Sequence, residues 1–366
     1  MRNSRNTTKD GIYEGSSPTK RAADVWDSAR FSSIFLASGF SCSQALSTPA
    51  HTRLTQTVSP LYQCGLLRGM LDRVDAILKA HTPKEGLMAT TDVKATLLAT
   101  EVRTLSAHTI PQDFRISVAL PRSYASHPEQ YYPTIYLTDA TVFFGMVVDI
   151  TRVMPVCGQF PETIVVGIGY PVDEPLDEAL TQWGNLRARD LLPVVEGSAE
   201  ASQSDPTGGA AEFLSFIQTE LIPTIEREYR ANPASRVLAG YSFGGLFALY
   251  TLFHQPHLFK GYIAGSPALF YGDRVTFTYE AAYAAAQSVL PVHLYLGMGG
   301  EEEQADDTMV SDFHTMVSDF YQFAARLASR KYEGLVLTRH VVENCAHCAS
   351  AAPQFQAGIQ AVLSER

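Results

Sequence analysis

The sequence predicts an α/β fold: a mostly parallel sheet flanked by helices on both faces, preceded by an N-terminal extension with a different pattern. Three observations carry this expectation. From Val102 onward short apolar strands alternate with helical stretches. Residues 134–138 and 164–169 are apolar with little polar alternation, as strands covered on both faces must be. Residues 236–250 read as a strand, a hard turn and a helix around Gly240-Tyr241-Ser242-Phe243-Gly244.

The elements follow from local pattern. Residues 1–28 are rich in Arg, Asn, Ser, Thr and Lys and are expected to be disordered. Residues 61–81 place Leu66, Met70, Val74, Ile77 and Leu78 on one face, which fits a helix, and Pro83-Lys84-Glu85-Gly86 then breaks the chain. Domain boundaries are expected at 1–100 for the extension and 101–366 for the α/β domain, with no internal repeat. Residues 114–120 alternate as a half-exposed strand, 134–138 and 164–169 form buried strands, and 143–153 form a helix between them. Residues 208–230 carry Phe213, Ile217, Leu221 and Ile225 at intervals of four, a helical stripe that Pro223 should kink. Strands at 262–265, 293–297 and 335–342 and helices at 307–330 and 352–363 complete the domain.

Composition limits the partners. The 366 residues are 46% hydrophobic and 18% charged, enough for one large core plus an extension. Twenty-eight basic against 38 acidic side chains, net −10, argue against nucleic acid or an anionic membrane surface as the partner and for a small molecule. No uninterrupted apolar run reaches the roughly 18 residues that cross a bilayer. The stretch 31–40 resembles a secretory core, but its long polar lead is the wrong flank. Five scattered cysteines, Cys42, Cys64, Cys157, Cys345 and Cys348, do not form the framework of a secreted domain, so a cytoplasmic location is expected.

Gly-x-Ser-x-Gly between a strand and a helix is the nucleophile elbow, a turn that lifts a serine oxygen clear of the backbone for attack on an acyl carbon. Gly240 and Gly244 let strand and helix approach while Ser242 takes an unfavourable conformation. The helix start aims N–H groups, chiefly that of Phe243, at developing negative charge. A serine hydroxyl needs a base, and the base an orienting acid; on an α/β-hydrolase sheet these follow in the order Ser, acid, His. Of ten histidines, His347 alone falls in a loop after the last strand and before the last helix. His254, His257, His293, His314 and His340 fall in or at the ends of other elements. The acid is sought after the preceding strand, where Glu302 is chosen, with Glu301, then Asp306 or Asp307, as alternatives and an acid-free dyad left open. The second oxyanion donor is expected from the main chain of Thr141, with Asp139 capping the helix that follows.

Two further groups have competing readings. Cys345-Ala346-His347-Cys348 has a metal or redox spacing, but a single such pair points instead to two small buried side chains, and no metal or cofactor is expected. Arg187 and Arg189, in Arg187-Ala188-Arg189-Asp190, bind either an anionic substrate or Asp190 in a structural ion pair.

From about Arg103 to the C-terminus the chain resembles the serine esterases of the α/β-hydrolase fold. That family includes intracellular siderophore esterases that open trilactones of the enterobactin and bacillibactin type. The resemblance rests on residues 114–121, Tyr136-Leu137-Thr138-Asp139, residues 165–170, Arg187-Ala188-Arg189-Asp190, residues 240–245, Gly265-Ser266-Pro267 and residues 343–347. It implies Ser242 as nucleophile, His347 as base, Phe243 and Thr141 as oxyanion donors, and Glu302 at the family's Gly-x-x-Glu. It also implies a substrate pocket that includes Phe270 and Tyr271, suited to an aryl or other bulky acyl group. Ala140, where relatives have glycine, and Cys348 after the histidine depart from the pattern, and Ala140 is expected to narrow the oxyanion loop.

The expected function is therefore hydrolysis of a carboxylic ester or lactone through an acyl-enzyme on Ser242. Acyl transfer to an alcohol would use the same residues, and a hydrolase-fold binding protein without activity is the reading from another class.

Overall fold

The computed structural model describes residues 96–172, 175–193, 207–303 and 315–364, which belong to a compact unit, Lys94–Arg366. The expected helix at 61–81, the polar segment 1–28, the stretch 31–40, Cys42, Cys64, Asp306, Asp307 and His314 lie outside the described residues.

The chain forms β1 (Thr100–Ser106), β2 (Asp113–Ala119), β3 (Tyr132–Leu137), α1 (Ala140–Val153), β4 (Ile164–Gly169) and α2 (Leu176–Leu191). Then come α3 (Ala210–Phe216), α4 (Ile222–Glu228), β5 (Ala231–Tyr241), α5 (Phe243–His254), β6 (Gly261–Gly265), α6 (Tyr271–Ala286), β7 (His293–Gly299), α7 (Met316–Arg330), β8 (Val336–Val342) and α8 (Ala351–Leu363). One sheet orders the strands β1-β2-β4-β3-β5-β6-β7-β8. β1 and β2 pair antiparallel to their neighbours and the rest are parallel. The strand order reverses at β3, with β4 on one side and β5 on the other, and the carboxyl ends of strands at such a switch point are where open α/β sheets carry their ligands.

Packing explains the pattern. β4 and β6 are buried along their whole length because helices cover both faces. One core contains Phe114, Phe213, Phe216 and Phe247. The other lies between the sheet and α1 and α8, with Val147, Val148, Phe355 and Ile359 at its centre. The helical run Ala140–Cys157 has the length and composition of a membrane span, but it contains Asp149 and Arg152 and packs one side on the sheet, as a core helix does.

Pro223 acts one turn earlier than a simple kink. Its ring cannot coexist with a regular carbonyl at position 219, and the chain widens to a π-turn, Ile217–Leu221, in which Ile222 N–H reaches Ile217 O. Three elements gave no periodic apolar signal. β1 is an edge strand exposed on alternate residues. α2 is anchored by Arg187 and Asp190 as well as Ala179 and Leu191. α6 opens with Gly272, Asp273 and Arg274 at positive φ and buries Thr276, Glu280 and Tyr283. Glu280 is held there by Arg330 at 2.8 and 3.0 Å and by Tyr332 at 2.8 Å.

Candidate active site

Ser242 sits between β5 and α5 with φ 58° and ψ −117°, a conformation that costs on the order of 1–3 kcal/mol and persists only when its surroundings fix it. They do so by close approach. A Cβ on Gly240 would lie 2.2 Å from Gly244 O, and one on Gly244 would lie 2.4 Å from Thr138 Oγ1. Ser242 N–H donates to Gly265 O at 2.9 Å, tying the elbow to the end of β6.

His347 lies in the loop between β8 and α8, its ring 5.1 Å from that of Tyr241, the residue before the serine. Tyr241 Oη donates to His347 O at 2.5 Å. Of the acidic candidates in the described residues, Glu302 faces the imidazole: Oε2 is 2.7 Å from Nδ1, and the carboxylate is fully buried. Glu301 is exposed and its N–H goes to Cys345 O, whereas Glu303 accepts from Ser318 N–H at the start of α7. Glu302 Oε1 accepts from Gly299 N–H at 2.6 Å and Ser266 Oγ at 2.5 Å, and lies 3.2 Å from Ser350 Oγ. A carboxylate loaded with donors is an acceptor only, so Nδ1 of His347 carries the proton and Nε2 presents its lone pair. The other histidines go elsewhere: His254 pairs with Tyr250 O on exposed helix, His257 is exposed, and His340 pairs with Tyr295 Oη at 2.8 Å; His293 begins β7.

Asp139 stands at the N-cap position of α1, but its side chain does not cap the helix. It adopts φ 55°, makes no side-chain capping bond, and is buried. Its carboxylate takes Arg187 in a two-pronged pair at 2.7 and 2.8 Å and Trp183 Nε1 at 3.2 Å. Burial pulls the Arg187 guanidinium down, but the charge and hydrogen bonds of Asp139 outweigh it and hold the group above its ordinary value. Arg187 also reaches Tyr241 O at 3.4 Å, so one guanidinium joins the Asp139 loop to the elbow. Arg189 is bound twice to Asp190, at 2.6 and 2.8 Å, and to Gln112. Both arginines thus have the structural partnership, Arg187 with a carboxylate distant in sequence rather than with Asp190.

Thr141 stands in the first turn of α1, where the helical pattern supplies its N–H with no acceptor, and Phe243 is the first residue of α5. Ala140 is buried, and a Cβ on Gly167 would meet its methyl at 2.7 Å; Gly167 of β4 is the residue that makes room for it. Phe270 and Tyr271 are half-buried beside Phe243, whose ring meets that of Tyr271 at 6.5 Å. The cysteines flanking His347 are not buried: Cys345 is partly exposed and Cys348 is exposed, because this loop lies at the surface end of the sheet. Among the described residues no cluster of three or more His, Cys, Asp or Glu could hold a metal ion. Sequence reasoning assigned no role to Ser266, which it met only within Gly265-Ser266-Pro267, and missed Ser350 and Gln354, buried polar residues with no motif of their own.

An eight-stranded sheet with this order, a strained serine after β5, a carboxylate after β7 and a histidine after β8 define the α/β-hydrolase fold. The chain belongs to the esterase family, whose model matches residues 107–343. It is similar to the ferri-bacillibactin esterase BesA of Bacillus subtilis, 34% identical over 185 residues, which are 48% of this chain and 60% of the relative. The siderophore enterobactin esterase of Emericella nidulans is 33% identical over 153 residues, 38% of this chain and 48% of the relative. The chain thus spans about half to three-fifths of the length of these two curated relatives. Among solved structures, the BES protein of Bacillus cereus aligns with a TM-score of 0.65 at 23% identity, covering 76% of this chain and all of the other, 100%. The siderophore hydrolase EstA of Aspergillus nidulans aligns at 0.62 and 20% identity, covering 74% and 97%.

Proposed function

We propose that this protein is a serine esterase that cleaves ester or lactone bonds of siderophore-like molecules. In this reading Ser242 Oγ attacks the carbonyl carbon while Nε2 of His347 takes its proton. Phe243 and Thr141 N–H groups receive the oxyanion, and Glu302 holds the imidazolium that forms. His347 then gives the proton to the leaving alcohol. Water, deprotonated by the same nitrogen, releases the acid and restores Ser242.

The observation that carries the reading is the 2.7 Å bond from His347 Nδ1 to a buried, donor-loaded Glu302, beside the residue preceding a serine at φ 58°. The names of the relatives support the substrate class, and the half-buried Phe243, Phe270 and Tyr271 supply flat apolar surface for an aryl acyl group. Arg187 and Arg189 have their role in holding the Asp139 loop and α2. We also assign residues 101–366 to the esterase domain, supported by the compact unit Lys94–Arg366 and the family match, and residues 1–100 to an extension. The five scattered cysteines, without the framework of a secreted domain, support a cytoplasmic location.

The test is hydrolysis of a trilactone siderophore and of a simple aryl acetate, followed by product analysis. Wild-type protein should open the trilactone with the higher kcat/KM, and Ser242→Ala should turn over neither. Wild-type rates in folded Ser242→Ala would overturn the serine mechanism; indifference to the trilactone would overturn the substrate class alone.

A further inference from the structure

Gln354, in the first turns of α8, is fully buried and touches neither Ser242 nor the imidazole in any of its hydrogen bonds. Its orientation is fixed by one contact. Ser266 N–H can only donate, and it lies 3.0 Å from Oε1, so the amide NH2 must point the other way. That NH2 donates to Ser266 Oγ at 2.7 Å and to Ser350 Oγ at 2.9 Å.

The proton positions downstream follow. Ser266 has one proton, and its partner at 2.5 Å, Glu302 Oε1, can only accept. The phenol of Tyr241 is held above its ordinary range by burial and by the nearby charge of Glu302, so it keeps its proton. That proton goes to an acceptor-only group, the His347 carbonyl at 2.5 Å, which leaves the phenol oxygen to receive Ser350 Oγ–H at 2.6 Å. Ser266 Oγ lies 2.9 Å from Tyr241 Oη, an alternative acceptor for the phenol proton that the closer His347 carbonyl takes. Two chains of donors thus start at one amide. Gln354 to Ser266 ends on Glu302, the carboxylate that accepts from the imidazole, and Gln354 to Ser350 to Tyr241 ends on the main-chain carbonyl of the same histidine.

The sheet makes room for this amide. Gly265 and Gly297 are paired neighbours on β6 and β7, and a Cβ on them would lie 3.2 and 2.3 Å from Gln354 Oε1. A Cβ on Gly299 would lie 2.6 Å from Glu302 Oε1 and 2.9 Å from Ser350 Oγ. Three glycines in two adjacent strands are an uncommon concession in a buried sheet, where glycine forfeits packing.

We propose that Gln354 is a positioning residue for the esterase site, setting the direction of both hydrogen-bond arms that hold His347. The inference rests on the serine-esterase reading. Gln354→Met keeps length and loses all three hydrogen bonds; Gln354→Glu keeps shape but cannot donate to both serines. Either change lets Ser266 turn from Glu302. The carboxylate, relieved of a donor, then holds the imidazolium more tightly.

With an aryl acetate as substrate, Gln354→Met should lower kcat roughly 10- to 100-fold with KM within about twofold, the ordinary size for a group that supports the reacting atoms. The acidic limb of its kcat profile should move to higher pH. Gln354→Glu, whose added carboxylate shifts the pH midpoint by its own charge, is read by kcat and KM alone if the first variant does not fold. A residue that merely fills space would change the folded fraction and leave the pH midpoint where it was. A folded Gln354→Met with wild-type kcat and pH midpoint, or a folded Gln354→Glu with wild-type kcat, beside an inactive Ser242→Ala, overturns this inference and leaves the esterase reading standing. An active Ser242→Ala overturns the esterase reading instead.

Discussion

Replacing Arg187 separates a structural from a substrate-binding role. In the structure its guanidinium is buried, bound at two points to a carboxylate with no exposed side-chain surface, and in contact with Tyr241 O. Its plane also lies 4.9 Å from the Trp183 ring and 4.8 Å from that of Phe243. Arg187→Met removes the partner of a buried charge, and breaking such a pair costs about 3–5 kcal/mol because the surviving carboxylate is left uncompensated. For a domain of this size that lowers Tm by about 6–20 °C. The companion change Asp139→Asn removes the stranded charge, so Asp139→Asn with Arg187→Met should be more stable than Arg187→Met alone. The assay is thermal and urea unfolding of the two single variants and the double variant, with esterase kinetics on each folded protein. The account expects a destabilised Arg187→Met whose kcat falls, since the loop bearing Thr141 and the elbow lose their common tie. A variant as stable as wild type, with unchanged kcat and a raised KM, would refute the reasoning and return Arg187 to the substrate.

Other consequences follow from the same contacts. Glu302→Gln puts an amide where the carboxylate accepts several donors, and should lower kcat about 10⁴-fold by disfavouring the Nδ1–H tautomer, with the fold retained by circular dichroism. A kcat within tenfold of wild type would mean that the histidine is oriented without the acid. Glu220 accepts the main-chain N–H groups of His108 and Thr109 and the Thr109 hydroxyl at 2.7–3.1 Å, and these bonds outweigh burial to hold its carboxyl down at about 2, from 4.5. A depressed carboxyl contributes stability that is present above pH 4.5 and lost as the pH falls through about 2. Glu220→Gln should therefore flatten the pH dependence of unfolding in that window, and an unaltered acid limb would contradict it.

What could be read from the chain divides along a physical line. The buried strands, the elbow and the helices with apolar stripes were legible because a period of two or of 3.6 is written in side-chain type. So were the places of Ser242 and His347 in the fold, each between a strand and a helix. Pattern does not tell which of three adjacent carboxylates turns inward, so Glu302 was a choice beside Glu301, Asp306 and Asp307; in space its side chain is the one bound by Ser266 and Gly299. α2 and α6 escaped notice because polar side chains, Arg187 and Asp190 in one and Glu280 in the other, occupy part of their inner faces. The ion pair of Asp139 with Arg187 joins residues 48 apart, and Gln354 meets Ser266 across 88. Local spacing contains no trace of either. Cys345 and Cys348 looked like small core residues, whereas their loop ends at the surface.

The most direct measurement is covalent labelling of the folded protein with a fluorophosphonate, with the modified peptide located by mass spectrometry. The account predicts one adduct, on Ser242, and none in Ser242→Ala. Folded protein that takes no label, or takes it on another serine, would contradict it.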